Sequence, residues 1–198
     1  MIVENQKAFD YLVFIGRFQP FHNAHKEVID IAFTMSQNVI LVLGSAQNER
    51  SLKNPFSAIE REEMMRGAFD DKQQANLHFV PIIDFYNDVK WTKAIKDGVN
   101  KIVDQESKVG LIGHFKDESS YYLRLFPEWQ LVELENLKNA LSATPLREKY
   151  YKGEIDREHF PNNVQQYLEY FQANAIYKQL QDHFLRKDST VLETKEEA

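Results

Sequence analysis

Short apolar runs closed by glycine recur along this chain, and stretches of helical period lie between them. Tyr11-Leu12-Val13-Phe14-Ile15 ends at Gly16, Val39-Ile40-Leu41-Val42-Leu43 ends at Gly44, and Val109-Gly110-Leu111-Ile112 ends at Gly113. Strands without polar alternation have to be covered on both faces. A parallel sheet between two helical layers meets that demand, because each parallel connection lays a helix on the sheet. Leu77 to Ile83 and Trp129 to Leu134 read as two further strands.

Between the strands, Ala24, Val28, Ile31, Ala32 and Met35 share one helical face. Ser57-Ala58-Ile59-Glu60 is a capping box that starts a helix near Ala58, running towards Phe69. Helices are also predicted from Trp91 to Val103, from Asp117 to Phe126, from Pro145 with Thr144 as its cap, and from Asn163 to Phe184. The fold class that follows is α/β, a doubly wound parallel sheet of about five strands with a C-terminal helical extension. Residues 1–186 read as one domain. Residues 187–198 are polar and lack an apolar period, so they read as a tail or a linker.

The net charge of −6 withholds the electrostatic footprint that nucleic-acid binding needs, so no nucleic-acid partner is expected. No apolar run approaches bilayer length, and the N-terminus lacks a signal-peptide pattern; no membrane partner is expected. Cysteine is absent, which removes disulfides and thiolate metal sites and fits a reducing, cytoplasmic setting. Neither length nor composition conflicts with a homo-oligomer.

Ligands in doubly wound sheets bind past the carboxyl ends of the strands. The loop after the first strand reads Gly16-Arg17-Phe18-Gln19-Pro20-Phe21-His22-Asn23-Ala24-His25. Two histidines three residues apart share one side of a first helical turn. A helix N-terminus with an added arginine favours a phosphate, and Gly16 allows the backbone close to a ligand. An isolated pair of this kind is more often a surface or capping feature. Zinc would need a third ligand that the sequence does not supply at a recognisable spacing. A second cluster, Ser142-Ala143-Thr144-Pro145-Leu146-Arg147, opens a later helix with hydroxyls and an arginine. No Walker-type GxxxxGK[ST] sequence occurs, which argues against a P-loop enzyme.

Together the two clusters resemble the paired motifs of the nucleotidyltransferase superfamily, with Ala24 where the His-x-Gly-His motif has glycine. The finer pattern resembles nicotinamide-mononucleotide adenylyltransferases of the archaeal type and the adenylyltransferase domain of their fused Nudix hydrolase relatives. The resemblance spans nearly the whole chain up to residue 186 and implies a Rossmann-like fold. It implies transfer of AMP from ATP to nicotinamide mononucleotide, giving NAD and pyrophosphate. It assigns catalytic roles to His22, His25, Arg17 and Arg147. The ATP site then comprises Gly16, Arg17, Phe18, His22, His25, Gly113, Lys116, Asp117, Ser142, Thr144 and Arg147. Ser45, Gln47, Lys53, Asp84 and Trp91 fall on the mononucleotide side, with lysine at position 53 where the family has arginine.

The bland reading of Trp91 is a core residue at a helix start. The resemblance implies Mg2+ arriving with ATP and no dedicated protein metal site, and it admits a Nudix domain fused in the parent protein, with residues 187–198 as either a natural tail or a linker to it. The Nudix motif itself has only a local echo in Arg61-Glu62-Glu63, so no diphosphate hydrolysis is expected of this chain. The alternatives are adenylyl or cytidylyl transfer to another phosphorylated acceptor, or a non-catalytic module that senses NAD-related nucleotides.

Overall fold

The structure is a computed structural model that describes residues 7–115, 118–135, 137 and 142–196. Five strands, β1 (Phe9–Gly16), β2 (Ser36–Leu43), β3 (Leu77–Pro81), β4 (Val109–Gly113) and β5 (Gln130–Glu133), form one sheet in the order β3-β2-β1-β4-β5. Every neighbouring pair is parallel. The helices are α1 (Asn23–Met35), α2 (Ala58–Arg66), α3 (Asp71–Ala75), α4 (Asp88–Val99), α5 (Ala143–Tyr151), α6 (Asn162–Gln172) and α7 (Ala175–Glu196), with a 3₁₀ helix at Glu118–Arg124.

The strand order dictates which face each helix covers. From β1 to β3 the chain steps one way across the sheet, and right-handed crossovers keep α1 and α2 on one face. The return from β3 to β4 reverses direction, so α4 falls on the other face. The side chains of β1 divide accordingly. Leu12 and Phe14 enter a core with Val28 and Ile29 of α1, Met64 of α2, and residues of α5, α6 and α7. Val13 and Ile15 point into a second core with Ile95 and Val99 of α4, and with Leu123, Phe126 and Trp129. The reversal lies between β1 and β4, where a crevice opens past the strand ends.

Several elements differ from the sequence expectation. The second helix stops at Arg66, and Asp70 starts the short α3 by capping it through Gln73 N–H at 2.8 Å. The long C-terminal helix is two, α6 and α7, because Asn174 Oδ1 accepts from the Ile176 N–H at 2.9 Å and begins a new helix. That second helix continues to Glu196, through most of the segment read as a tail or a linker. Lysine and glutamate are good helix formers, and a helix docked over its first turns propagates at little cost. Helix α5 starts at Ala143 with Ser142 as its cap residue, so Pro145 sits third in the helix. Proline is tolerated there for the same reason as at the first position, since first-turn N–H groups have no intrahelical partner.

Buried tyrosines fasten the C-terminal helices to one another and to the loop after β2. Tyr150 Oη donates to Leu168 O at 2.9 Å, Tyr177 Oη to Tyr150 O at 2.6 Å, and Tyr151 Oη to Leu52 O at 3.1 Å. Burial raises the Tyr150 and Tyr151 phenols well above their ordinary value of 10.0. Unfolding therefore releases protons above that pH. Stability from these groups is complete below about pH 10 and falls as pH rises beyond it. Tyr150→Phe keeps the ring but loses the bond, and should lower unfolding free energy by about 1–2 kcal/mol at neutral pH. Urea titrations of both proteins at pH 8 and pH 11 check this; an unchanged midpoint in the variant, or a wild type indifferent to pH 11, contradicts it.

Candidate functional site

The loop after β1 crosses the crevice and is held there by side chains that imitate backbone. Gln19 is buried; its amide donates to Phe56 O at 2.8 Å and accepts from Phe56 N at 3.0 Å. This reciprocal pair fixes the loop against the segment that precedes α2. Beyond it, His22 is the N-cap residue of α1 and is buried. The start of α1 is fastened by Asn23, whose backbone N–H donates to His159 O at 2.8 Å and whose side chain donates to Glu158 O at 2.8 Å.

His22 and His25 stack, with ring centroids 3.7 Å apart and planes 28° from parallel. The His22 N–H donates to His25 Nδ1 over a long 3.4 Å. In a neutral ring that accepts at Nδ1, the proton lies on Nε2. Phe18 and Phe21 pack round His25, at 4.9 Å edge-on and 5.9 Å stacked. The Phe18 ring is itself fully buried, so it supports His25 from below. Gly16 is needed for that packing: a Cβ there would lie 2.8 Å from the Phe18 ring. This packing is a demand on Gly16 separate from the close ligand approach expected of it, and Gly16 also lines the cavity over the strand ends. At Gly113 a Cβ would likewise meet Leu123 at 2.8 Å.

Arg147 projects from α5 back to the first loop, donating to Gln19 O at 2.7 Å and to Thr144 Oγ1 at 3.2 Å. Burial pushes its pKa down, and the nearby Arg17 charge adds to that. A cavity of about 360 Å³ lies over the strand ends, lined by Gly16, Arg17, His22, His25, Ser142, Thr144 and Arg147 among others. The two motif clusters, far apart in sequence, thus face each other across one space. Lys116 and Asp117 lie outside the described residues.

Two further cavities flank this one. Tyr122 lines both the central cavity and a neighbour of about 550 Å³ that holds Asp84 and Trp91. Trp91 meets Tyr122 and Phe126 edge-on at 6.0 Å each, so it packs on the core and lines a pocket at once. Asp84 is held in place: its carboxylate accepts from Asn48 Nδ2 at 3.0 Å and its N–H donates to Gln47 Oε1 at 3.1 Å. Ser45 is buried and takes a left-handed backbone, φ 53°. On the other flank, Arg17, Thr144 and Arg147 also border a cavity of about 410 Å³ that contains Lys53. Lys53 therefore stands with the arginines, away from Asp84 and Trp91.

Sequence reasoning gave Arg61 no structural role. It is 1% exposed and donates through Nη1 to Arg17 O at 2.6 Å and Gly44 O at 2.9 Å, and through Nε to Ser57 O at 3.2 Å. Burial lowers its pKa to about 10, opposed by the Asp84 charge, and it remains a cation at neutral pH. The signal was present in the spacing Arg61, Met64, Met65, which places an arginine on the buried stripe of α2. Among the described residues no group of three His, Asp or Glu converges as a metal site, and no helix is long and apolar enough to cross a membrane.

A stacked histidine pair, two arginines and a helix start lie together at the switch point of a parallel sheet, the place where folds of this class take nucleotides. A family profile described as cytidylyltransferase-like matches residues 13–176. The nicotinamide/nicotinic acid mononucleotide adenylyltransferase of Acinetobacter baylyi is 58% identical over 184 residues, covering 93% of this chain and 98% of that one. The chain belongs to this adenylyltransferase family within the cytidylyltransferase-like proteins. A nicotinamide-nucleotide adenylyltransferase of Thermococcus onnurineus is 29% identical, covering 79% of this chain and 80% of that one. Among solved structures, a bifunctional NMN adenylyltransferase/ADP ribose pyrophosphatase from Francisella tularensis, complexed with AMP and a manganese ion, superposes with a TM-score of 0.82 at 33% identity. That match covers 95% of this chain, which spans only 55% of the Francisella one.

Replacing Arg61 with Met should leave Arg17 O and Gly44 O without this donor and cost about 2–4 kcal/mol. Denaturant unfolding checks this; a loss below about 1 kcal/mol would mean the guanidinium does not hold the strand ends.

Proposed function

We propose that the protein transfers the adenylyl group of ATP to nicotinamide mononucleotide, producing NAD and pyrophosphate. The observation that carries this reading is the stacked His22–His25 pair facing Arg147 across one cavity, with the Asp84–Trp91 pocket separated from it by Tyr122. The name of the Acinetobacter relative, at 58% identity, supports the acceptor.

A phosphate oxygen of the mononucleotide attacks the α-phosphorus of ATP in line. The bond from that phosphorus to the bridging oxygen breaks, and pyrophosphate leaves with the electron pair. The attacking oxygen is already anionic, so no general base is required. The protein supplies alignment and stabilisation of negative charge. His25 donates from Nε2 to the α-phosphate, beside His22. Arg17 and Arg147 neutralise the outer phosphates, with the hydroxyls of Ser142 and Thr144 and the first turn of α5 as further donors. Asp84 and Trp91 take the nicotinamide end, where the indole face stacks on the cationic ring. A magnesium ion bound with ATP would add charge neutralisation at the phosphates; among the described residues no carboxylate cluster would hold it. A cytoplasmic location is part of the same reading.

Pyrophosphate release is the decisive assay. Release should need ATP and a pyridine mononucleotide, nicotinamide or nicotinic acid, and should be slow with a pantetheine phosphate or with CTP. A preference for either of the latter overturns the acceptor assignment. His25→Ala should lower kcat by about 10²–10³-fold in a folded protein; a near-normal kcat removes His25 from the chemistry. Trp91→Ala should raise KM for the mononucleotide about five- to tenfold while that for ATP moves little. Equal changes for both substrates would mark Trp91 as core packing alone.

A further inference from the structure

The flanking cavity beyond Arg17 and Arg147 is closed on its far side by α7, which contributes Phe184, Lys187 and Asp188. Four cations, Arg17, Lys53, Arg147 and Lys187, border it against two carboxylates, Glu148 and Asp188. Asp188 faces Lys152 at 3.7 Å. Among the described residues, the side chains of Arg17, Lys53 and Lys187 form no ion pair. Unpaired cations converging in a chain of net charge −6 call for a mobile polyanion.

Lys187 is held over this cavity by the packing of its own helix. Helix α5, which carries Thr144 and Arg147, is stapled to α7 by Tyr177 Oη on Tyr150 O at 2.6 Å and by Gln181 Nε2 on Tyr151 O at 3.0 Å. The Phe184 ring packs on Tyr151 at 5.4 Å. Lys187 stands three residues on, about one helical turn further along the same side. The helix that docks on α5 therefore presents a lysine to the cavity that Arg147 borders.

We infer that α7 completes the polyphosphate seat, with Lys187 binding the outer phosphates of ATP and the departing pyrophosphate. The assignment rests on the adenylyl-transfer reading above and adds a residue from a segment that looked like a tail. The ligand chemistry is a phosphoanhydride. Its two sources, the β,γ end of ATP and free pyrophosphate, share that chemistry, whereas AMP lacks it.

Calorimetric titration of the full chain with a non-hydrolysable ATP analogue, pyrophosphate and AMP tests the assignment. Lys187→Ala should weaken the ATP analogue and pyrophosphate about three- to fivefold, and Lys187→Glu about tenfold or more, with AMP unchanged. Lys187→Arg should bind like the wild type. Lys178→Ala, an exposed lysine earlier on α7 that does not border the cavity, serves as the control. Thermal melting without ligand should be unchanged in all variants. Equal weakening of AMP and the ATP analogue, or no weakening of either by the charge reversal, overturns the role of Lys187 and leaves the adenylyl-transfer reading standing. A wild type that binds none of the three ligands overturns both.

Discussion

A single buried guanidinium holds the floor of the crevice. Parallel strands end with carbonyl groups that point out of the sheet, and at a switch point the neighbouring loops diverge and cannot satisfy each other. Arg61 meets this need from α2 by donating to Arg17 O and Gly44 O, one from each of the loops after β1 and β2. It is buried, with no carboxylate among the described residues in salt-bridge contact, and is stabilised by carbonyl dipoles with Asp84 as a more distant counter-charge. A charge placed so costs desolvation, and it persists because its geometry satisfies several acceptors at once. Arg147 repeats the device from the other side by donating to Gln19 O. The first loop is thus clamped by two arginines, and the stacked histidines inherit their position from that clamp.

The same arrangement explains how an acidic chain takes up acidic substrates. Positive charge is gathered along a series of adjoining cavities while the rest of the surface carries the excess carboxylates. Tyr122 separates the aromatic pocket of Trp91 from the histidine cavity, and Arg17, Thr144 and Arg147 separate that cavity from the one under α7. The order along the groove, an aromatic pocket, then paired donors, then a polycationic end, suits a pyridine ring, a reacting phosphorus and a polyphosphate in turn.

Much of this was legible in the sequence because three of the strands, β1, β2 and β4, are apolar runs closed by glycine. The α/β class and a sheet of five parallel strands follow from the apolar pattern and agree with the structure. What periodicity cannot register is local capping: Asp70 and Asn174 each start a helix that the apolar pattern merged with its neighbour. The helix at 187–196 was missed because a polar helix anchored at one end leaves no apolar stripe. Arg61 and Lys187 were missed because a cation's role depends on which carbonyls or cavities the tertiary fold brings to it. The position of Lys53 beside the arginines is likewise a property of the loop path after β2 and has no local signal.

The central claim is a direct transfer between two bound anions, without a covalent enzyme intermediate, in a site that supplies charge stabilisation and alignment. The stereochemical course at the α-phosphorus tests it most directly. With ATP made chiral by sulfur at the α-phosphorus and nicotinamide mononucleotide as acceptor, the account predicts a dinucleotide product of inverted configuration, the outcome of one in-line displacement. Retention would require two displacements through an adenylylated side chain and would contradict the account.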